Sequence, residues 1–593
     1  MKNKMICTCG SGHASYRMSR RIMALLLSVL MAGSLFSGCG KAGGADKAHL
    51  SEGESKYPEF LTVDVFDAQS NYQGIQSGWF AEIVKEKFNM ELNIIAPNVS
   101  GGGETLYETR AAAGNLGDII ITKLSGGRLQ DMVTAGLAAD MSGYMDGQEN
   151  LGHYMDAITA TNESLVQEAG IWGIPSEVTT QSPTDMLNTT ALNSGIYIRW
   201  DLYKQLGYPE METYEDLLTV MSDMQAIAGL SDSGKKVYAF SLFKDWDGPM
   251  IKAGQDIPSD YGWSTESFVL QKADDSEEPM DFLAENSPYI RNLKFYFTAN
   301  QMGLLDPESQ TQNYDTLYKK YEDGAVLYSP WPWLGQTAYN TTAHMEEGKG
   351  FETACINDLQ IREWGCYVIG NPEAGILVGS KARDPQRMVD FIDWLYSPEG
   401  IRAQWFAMTA EMYDLGEEGP VLTELGKMAM IDGDAEMPEI YGGGSYKDGK
   451  PKLNFKTVAL SEVDPETGYP YDCQTWKSYV DLVSSPLDRD WQEHMGASTA
   501  AKFWKETGRI CISPGASYAM PADSGDIATM RSQVEKVVKE YSWKAIYADS
   551  PEEFASIIKE MRESAIEFGY DEVVAVDMQN AADLKAAREE VMK

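Results

Sequence analysis

Tryptophans follow two strand-like runs of the chain, in a pattern that suits the binding of a sugar. Trp246 and Asp247 come shortly after the run VYAFSLF, and Trp331 and Trp333 come shortly after AVLYS. A pyranose ring packs its flat C–H face on an indole, while a carboxylate such as that of Asp247 accepts hydrogen bonds from hydroxyl groups. The alternative for each tryptophan is a place in a hydrophobic core, so we predict that at least two of the three line a cleft.

Residues that would make the chain an enzyme are sparse. Its five histidines are far apart and form no H-E-x-x-H motif, so a zinc hydrolase would lack its ligands. The segment GASYA approaches the G-x-S-x-G elbow of serine hydrolases but ends in alanine. A glycosidase needs only two carboxylates about 5–9.5 Å apart, which an acidic chain can supply. We therefore expect no enzyme activity, with a secreted glycoside hydrolase as the main alternative and a non-catalytic glycan-binding surface adhesin as the next.

Strand and helix patterns alternate in the first part of the chain. Strand patterns occupy 61–66 and 90–96, a helical apolar stripe occupies 79–88, and a short buried strand occupies 118–122. This alternation predicts an α/β fold with a mostly parallel sheet covered by helices on both faces. Ligands of such sheets bind beyond the carboxyl ends of the strands. The polar residues at those ends are candidate ligand-binding residues: Asp67, Asn71, Tyr72 and Thr122.

Several stretches of the chain resemble the family 1 extracellular solute-binding proteins. GIWGIPSE (170–177) and IYIRWDLYKQLGYPEMETYEDLLTVM (196–221) are similar to the segment in which that family's chain crosses between two lobes. GNLGDIIIT (114–122) is similar to one of the family's first-lobe strands. DPQRMVDFIDWLYSPEGIRAQW (384–405) is similar to the block in which the chain returns to the first lobe. The long C-terminal half has an LplA-like character, which suggests a complex glycan fragment as ligand, with a peptide or a sugar derivative as the alternatives.

The resemblance implies both a fold and a function. The fold is a two-lobed, hinged α/β fold of the periplasmic-binding-protein type II, in which each lobe is a mostly parallel sheet flanked by helices. Members of the family are lipoproteins that hand oligosaccharides to ABC importers. The resemblance therefore implies an oligosaccharide or related neutral solute as ligand, the transmembrane permease subunits of an ABC importer as partners, and no cofactor. Ligand would select the closed form of the cleft, and we expect a monomer.

The resemblance also suggests where the lobes are joined. We place the hinge at 176–194 and again at 364–370, and we expect Glu177 and Arg199 to border the cleft, with a structural ion pair as the alternative for each. The predicted segments are a signal peptide (1–38), a tether (39–57), the first part of lobe 1 (58–178), the first part of lobe 2 (179–366), a return to lobe 1 (367–405), and a last segment that completes lobe 2, decorates the cleft and closes with helices (406–593).

The last segment is the hardest to interpret. Residues 420–550 are rich in Gly, Pro, Tyr and Trp and show little periodicity, and Trp476 within them is a further candidate for the cleft. Apolar spacing predicts helices at 550–570 and 581–592.

The start of the chain has the pattern of a lipoprotein signal. A basic patch at 17–21 precedes an apolar run at 22–36, and Ser37, Gly38 and Cys39 follow it. This resembles a bacterial lipobox, although Phe36 stands where the family usually has leucine, and plain secretory cleavage is the alternative. Lipid on Cys39 would hold the protein at the cell surface, on the outer face of the cytoplasmic membrane of a bacterium that we expect to be Gram-positive.

Charge and cysteine content narrow the partners. The formal net charge is -40 at pH 7, a surface that repels nucleic acid and that suits a neutral ligand. The cysteines after Cys39 are too few for a disulfide framework, although the sequence allows a Cys355–Cys366 bridge. We expect no metal. The aspartate-rich turns 432–434 and 464–472 lack the D-x-D-x-D-G loop of a calcium site, and a structural calcium ion there is the alternative.

Overall fold

The computed structural model describes residues 56–100, 103–417, 419–516, 518 and 520–593. The predicted signal peptide, Cys39 and nearly all of the predicted tether lie outside the described residues, so all three, with the lipidation of Cys39, stay predictions. No helix in the described part of the chain combines the length and the apolar composition needed to cross a membrane.

The strands are short and are distributed along most of the chain. In chain order they are β1 (Leu61–Asp67), β2 (Gly74–Ile75), β3 (Met90–Ile95), β4 (Ile119–Thr122), β5 (Ile174–Ser176), β6 (Tyr197–Arg199), β7 (Trp263–Glu266), β8 (Val269–Lys272), β9 (Met280–Asp281), β10 (Tyr328–Ser329), β11 (Phe351–Thr353), β12 (Ile361–Tyr367), β13 (Asn371–Val378), β14 (Tyr413–Gly416), β15 (Gly419–Leu422) and β16 (Ile510–Gly515).

The helices range from single turns to six turns. The first group is α1 (Trp79–Phe88), α2 (Pro97–Ser100), α3 (Gly103–Ala112), α4 (Arg128–Thr134), α5 (Glu149–Gly152), α6 (Met155–Leu165), α7 (Trp200–Gln205), α8 (Asp216–Ile227), α9 (Asp256–Asp260), α10 (Pro288–Gln301), α11 (Tyr314–Glu322), α12 (Pro332–Tyr339) and α13 (Thr342–Glu346). The second group is α14 (Pro385–Leu395), α15 (Pro398–Gly400), α16 (Glu424–Ile431), α17 (Tyr446–Gly449), α18 (Lys477–Val483), α19 (Pro486–Met495), α20 (Ala500–Glu506), α21 (Gly525–Ile546), α22 (Pro551–Glu567) and α23 (Tyr570–Val591).

Lobe 1 is built on a six-stranded sheet in the order β2-β3-β1-β4-β13-β5. Strand β1 pairs in parallel with β3 and β4, and β13 lies antiparallel between β4 and β5. All four residues of β4 are buried, as expected for a central strand that is covered on both faces. Four of the six strands therefore run in one direction, which agrees with the predicted sheet.

The sheet of lobe 2 differs from the predicted one. It has the order β10-β6-β11, and both neighbours pair antiparallel to β6. Apart from the two-stranded pair of β12 and β16, parallel pairing among the described residues of this lobe is limited to the single bridges Tyr238–Val326 and Phe240–Leu305. The run 237–243 is apolar enough for a strand, but most of its length forms no ladder, so a mostly parallel sheet is correct for lobe 1 only.

Two separate groups of buried side chains show where the chain crosses between the lobes. The core of lobe 1 includes Val178, Ile376 and Trp476, and the core of lobe 2 includes Met186, Ile361 and Leu487. The chain thus crosses at 178–186, at 361–376 and at 476–487. The first two crossings overlap the predicted hinge segments, whereas the third has no counterpart in the prediction.

The third crossing changes the assignment of the last segment. Residues from Met408 to Trp476 contribute to the core of lobe 1. The sequence pattern instead predicts that 406–593 completes lobe 2, decorates the cleft and closes with helices. Only the part after the third crossing packs in the core of lobe 2. The assignment failed because a stretch without periodicity carries no indication of the surface against which it packs.

Helices α21 to α23 pack together and against lobe 2, where α21 also packs on α10. The predicted helix 550–570 corresponds to α22, and the predicted helix 581–592 is the second half of α23. Helix α21 was not predicted. Its buried residues lie only between Val534 and Ile546, so the first part of the helix shows no apolar stripe in the sequence.

Candidate functional site

Four aromatic side chains of lobe 2 form one exposed group, the aromatic cluster: Trp246, Tyr314, Trp331 and Trp333. Trp331 and Trp333 stack with ring centroids 4.7 Å apart and planes 9° apart. Trp246 stacks on Tyr314 at 4.5 Å and lies 5.8 Å from Trp333. Trp246 is 44% exposed and Trp333 is 41% exposed. All three tryptophans predicted to bind sugar are therefore brought together, with ring surface open to solvent.

The turn between β10 and α12 positions Trp331 and Trp333. The buried Ser329 side chain donates a hydrogen bond to the carbonyl of Trp331 at 2.8 Å and accepts one from the backbone N–H of Gly335 at 3.1 Å. Pro332 is the first residue of α12, where its missing N–H costs nothing. A Cβ on Gly335 would lie 2.7 Å from that of Ser329, so glycine lets the helix approach the strand end. The turn is therefore fixed by local bonds.

The loop that carries Trp246 is held in place through Asp247. One oxygen of its carboxylate accepts the backbone N–H of Lys252 at 2.8 Å, and the other accepts the Nε1–H of Trp543, in α21, at 2.8 Å. Burial raises the pKa of Asp247 above its ordinary value. Asp247 also borders a cavity of about 1010 Å³ between this loop and α21. Both oxygens of its carboxylate already accept a hydrogen bond from the protein. The role of Asp247 as an acceptor for sugar hydroxyls stays a prediction.

A second, smaller cavity adjoins Trp331 and Trp333. Its volume is about 180 Å³, and its wall includes Trp263, the cations Lys252 and Arg362, and polar side chains from 193–194 and 255–260. The Nζ atom of Lys252 lies 5.1 Å from the ring centroid of Trp331 and donates to Oε1 of Gln255 at 2.9 Å. Aromatic surface and hydrogen-bonding groups therefore lie side by side here.

Two buried acids form the inner wall of the smaller cavity. Asp256 accepts a hydrogen bond from the Tyr296 hydroxyl at 2.5 Å, and Asp260 accepts one from the Tyr214 hydroxyl at 3.1 Å. Burial raises the pKa of Asp256 to about 7 and raises that of Asp260 well above its ordinary value. Both carboxyl groups are therefore less charged at neutral pH than exposed aspartates.

Asp67 of lobe 1 holds its own loop together. Its carboxylate is fully buried and accepts the backbone N–H groups of Gln69 and Ser70 at 3.0 Å and that of Asn454 at 2.8 Å. Burial raises its pKa to about 6, against the effect of these hydrogen bonds. This arrangement differs from the predicted ligand contact, because the donors that close the loop occupy the carboxylate.

The other strand-end candidates of lobe 1 have different surroundings. Asn71 is exposed, and Tyr72 is half-buried with its hydroxyl donating to the carbonyl of Ile75 at 2.6 Å. Thr122 is buried where β4 ends. Of these three residues, only Asn71 presents a largely accessible polar side chain, and their contact with ligand stays a prediction.

Glu177 and Arg199 each form an ion pair within the protein, which is the alternative to a place at the cleft border that the sequence left open for both residues. Glu177 accepts hydrogen bonds from Lys456 at 2.9 Å and from Asn371 at 2.7 Å. Arg199 donates twice to Asp201, at 2.9 Å each, and its guanidinium lies over a tyrosine ring at 4.2 Å. Both side chains are buried, so their charges are compensated within the protein.

Trp476 is the one tryptophan candidate that the structure places elsewhere. It is 4% exposed in the core of lobe 1, and its Nε1–H donates to the carbonyl of Pro470 at 2.9 Å. Its prediction as a cleft residue is wrong, because a tryptophan in an irregular segment gives no indication of its burial.

Tyr314, Lys252 and Arg362 are site residues that were not predicted from the sequence. Tyr314 begins α11 directly after the N-cap Asn313, and this cap was its only signal. The two cations come from separate segments, so no motif could connect them.

Neither a disulfide nor a metal cluster is present among the described residues. Cys355, Cys366, Cys473 and Cys511 are free thiols, so the Cys355–Cys366 pairing that the sequence allows is not formed. The same part of the chain contains no group of three or more His, Cys, Asp or Glu side chains that could hold a metal ion.

Comparison with known proteins gives structural likenesses only. No family model and no curated protein matches the sequence. The Streptococcus pneumoniae ABC-transporter substrate-binding protein FusA, in complex with kestose, aligns with a TM-score of 0.52 at 12% identity, over 88% of this chain and 99% of that chain. An HMO-binding, ABC-transporter-associated solute-binding protein of Bifidobacterium longum infantis aligns with a TM-score of 0.52 at 12% identity, over 89% of this chain and 99% of that chain. The chain therefore has the two-lobed, periplasmic-binding-protein-like α/β fold of these solute-binding proteins.

Proposed function

We propose that this protein is the extracellular solute-binding lipoprotein of an ABC importer and that it captures an oligosaccharide between its lobes. The observation that carries the proposal is the aromatic cluster, in which two stacked ring pairs expose their surfaces beside a polar cavity. Exposed indole faces are what a sugar ring requires, because its C–H groups pack on them while its hydroxyls bond to neighbouring polar atoms.

The structural relatives support this class of ligand. One was solved with kestose and another is described as HMO-binding, and each aligns over nearly its whole length. Because the identity to each relative is 12%, the particular sugar that this chain binds depends on its own site residues.

The mechanism follows from two lobes joined by three crossings. Ligand that contacts both lobes only in the closed form shifts the population toward that form. The closed form is then presented to the permease subunits, while lipid on Cys39 keeps the protein at the outer face of the membrane. Asp67 and Glu177 stiffen the strand-end loops of lobe 1, because internal donors hold both carboxylates.

Replacement of Trp331 tests the proposal. We expect Trp331→Ala to weaken binding of an oligosaccharide at least tenfold, about 1.4 kcal/mol, as measured by calorimetry. The reason is that the stacked pair of Trp331 and Trp333 loses one of its rings. Thermal unfolding should remain cooperative. Trp172→Ala is the matched control, since Trp172 is half-buried in lobe 1 and precedes β5, at the end of the strand opposite to its carboxyl end.

A ligand-panel assay separates a solute-binding protein from a glycoside hydrolase and from an adhesin. The purified domain is incubated with an oligosaccharide panel, and both the melting temperature and the products are measured. A melting shift with intact sugars supports a carrier. Release of shorter sugars would instead identify a glycoside hydrolase, and glycan-dependent labelling of cells without any melting shift would favour an adhesin.

A further inference from the structure

A further cavity, the β12 cavity, lies on the second crossing between the lobes. Its volume is about 170 Å³, and its wall includes Trp364 and Tyr367 of β12 and Tyr518, which follows β16. All three aromatic residues are half-buried, so part of each is accessible, and none of them belongs to the aromatic cluster. Aromatic surface that can pack on a sugar ring is therefore present at a second place.

Strand β12 connects this cavity to the smaller one beside the aromatic cluster. Arg362 lines the smaller cavity and Trp364 lines the β12 cavity. The two residues are two positions apart on the strand, so their side chains lie on the same face of it. The guanidinium of Arg362 lies 4.6 Å from the centroid of the Trp364 ring. The aromatic cluster, the smaller cavity and the β12 cavity therefore follow one another along one surface.

The far end of the β12 cavity is close to lobe 1. Burial, and then the charges of Glu177 and Glu373, raise the pKa of the Tyr367 hydroxyl, so both carboxylates are near enough to act on it. Glu177 directly follows β5 and Glu373 lies in β13, two strands of the lobe 1 sheet. A ligand in this cavity would therefore lie at the boundary of the two lobes.

A buried amide of the β12 cavity has no partner. Asn580 lies in the middle of α23, is 7% exposed and lines the cavity. Among the described residues, no hydrogen bond is made by its side chain. A buried amide without a partner lowers stability, and asparagine is also a poor helix former. A residue that lowers stability in the free protein without a compensating contact indicates a role in binding.

The same face of α23 supplies a second free donor. Asn580, Leu584 and Arg588 are spaced four residues apart, and all three line the cavity. The Nη atoms of Arg588 donate to Asp275 at 3.1 Å and to Ser513 at 2.9 Å, whereas its buried Nε has no acceptor in the described part of the chain. Because Asp275 already compensates the charge of Arg588, uncharged groups such as sugar hydroxyls fit this donor best.

We propose that the β12 cavity is a second sugar-binding subsite, and that the ligand is an oligosaccharide long enough to reach from the aromatic cluster past Arg362 to Tyr518 and Asn580. This inference rests on the proposed function and specifies the length of its ligand. The rings of Trp364 and Tyr518 supply packing surface for the C–H groups of a sugar, and Asn580 with the Nε–H of Arg588 supplies partners for its hydroxyls. A disaccharide on the aromatic cluster is too short to make these contacts.

The first test is the dependence of affinity on chain length. Calorimetry with the purified protein uses sugars of increasing length within one type of linkage: maltose to maltohexaose, xylobiose to xylohexaose, and sucrose, kestose and nystose. In a series that binds, we expect the tetrasaccharide to bind about tenfold more tightly than the disaccharide, or better, because only the longer sugar occupies both subsites. We call this ratio the length gain.

Replacement of Tyr518 assigns the length gain to the β12 cavity. Tyr518→Ala removes one aromatic face of the cavity and should reduce the length gain about fivefold. Tyr469→Ala is the matched control, because Tyr469 is an exposed tyrosine beside Gly419, at the start of β15, and its loss should leave the length gain intact. A full length gain in Tyr518→Ala would overturn the proposal.

Replacement of Asn580 adds a measurement that needs no sugar. Asn580→Leu removes the unpaired amide, so it should raise the melting temperature of the free protein while reducing the length gain. Asn292→Leu is the matched control, because the buried amide of Asn292 in α10 accepts the N–H of Ile257 at 2.8 Å and donates to the carbonyl of Ala253 at 2.7 Å. This variant should melt at a lower temperature. If Asn580→Leu melted below the wild type and kept the full length gain, the proposal would be wrong.

The outcomes separate the second subsite from the proposed function. If sugars bind with an affinity that does not depend on their length, the second subsite is wrong and the sugar-binding function stands. If no sugar of any series shifts the melting temperature or releases heat, both proposals are wrong.

Discussion

Asp256 and Asp260 are acids at positions where a charge is unfavourable. Both lie on the short helix α9, with exposed fractions of 6% and 2%. Each is bonded to a tyrosine hydroxyl, which can donate to a carboxylate or accept from a carboxylic acid. This allows the pair to change protonation without losing its hydrogen bonds, at pH values where exposed aspartates are already ionised.

Asp256 should give the stability of the protein a specific pH dependence. Aspartates of the unfolded chain titrate near 3.9. Because the folded protein holds this proton up to a pKa of about 7, the contribution of Asp256 to the free energy of unfolding falls as the pH rises between these two values. Asp256→Asn removes the titration and keeps an acceptor for Tyr296. We expect the free energy of unfolding of the variant, relative to that of the wild type, to increase by a few kcal/mol between pH 4 and pH 8, as measured by urea unfolding.

The control for this prediction is Asp146→Asn, which alters an exposed aspartate of lobe 1. Because this side chain is exposed, its replacement should change the free energy of unfolding far less than Asp256→Asn does. If the difference in free energy of unfolding between Asp256→Asn and the wild type stayed constant from pH 4 to pH 8, Asp256 would be ionised throughout this range.

The residues of the site could be predicted from sequence only in part. Trp246, Trp331 and Trp333 were predicted because each follows an apolar run and because strand ends define one edge of a sheet. Lys252 and Arg362 could not be predicted, because only tertiary structure brings them together. For Asp67 the pattern of residues predicts the position at a strand end but not the loop-closing hydrogen bond, since its partner Asn454 is nearly 400 residues away in the chain.

Among the elements, β12 holds the first two crossings together. Gly365, within β12, forms a bridge with Met186, which belongs to the first crossing. Strand β12 also pairs in parallel with β16. A Cβ on Gly365 would lie 1.9 Å from the carbonyl oxygen of Pro183, a contact that only a shift of the backbone could relieve.

We therefore expect Gly365→Ala to destabilise the protein by about 1–3 kcal/mol, the usual range for overpacking a filled site. Urea unfolding at pH 7 measures the effect. Gly525→Ala is the matched control, because Gly525 begins α21 with no atom near the added methyl group, and alanine favours the helix. Equal stability of the two variants would mean that the crossing segments move apart at little cost.

Elements with regular periodicity were predicted well. Helix α1 has the predicted bounds, and β1, β3 and β4 lie within one residue of them. Helix α21 was missed although it has 22 residues, because its first half is largely exposed. This omission mattered for the site, since α21 forms one wall of the larger cavity and supplies Trp543 as the partner of Asp247.

At the scale of the whole molecule, three crossings restrict how the lobes can move. The first is anchored through the buried Glu462, whose carboxylate accepts hydrogen bonds from the Thr179 hydroxyl at 2.5 Å and from the backbone N–H of Thr180 at 2.9 Å. The second is anchored through the buried Glu363, which accepts the backbone N–H of Asn193 at 2.7 Å. Chain segments fixed in this way favour rotation of the lobes as rigid bodies over local unfolding.

Closure should be visible in solution as a change in size. A single compact domain of about 540 residues, the length of the chain after the predicted tether, has a radius of gyration of about 24 Å. We expect the ligand-free protein to exceed this value, because the proposed mechanism holds its lobes apart until ligand binds, and we expect oligosaccharide to lower it toward 24 Å in small-angle X-ray scattering. At a sugar concentration equal to the dissociation constant of the wild type, Trp331→Ala should show less than about a fifth of the wild-type decrease in radius, because its binding is at least tenfold weaker. A radius that stays constant while calorimetry records binding would show that ligand occupies lobe 2 alone, without drawing lobe 1 over it.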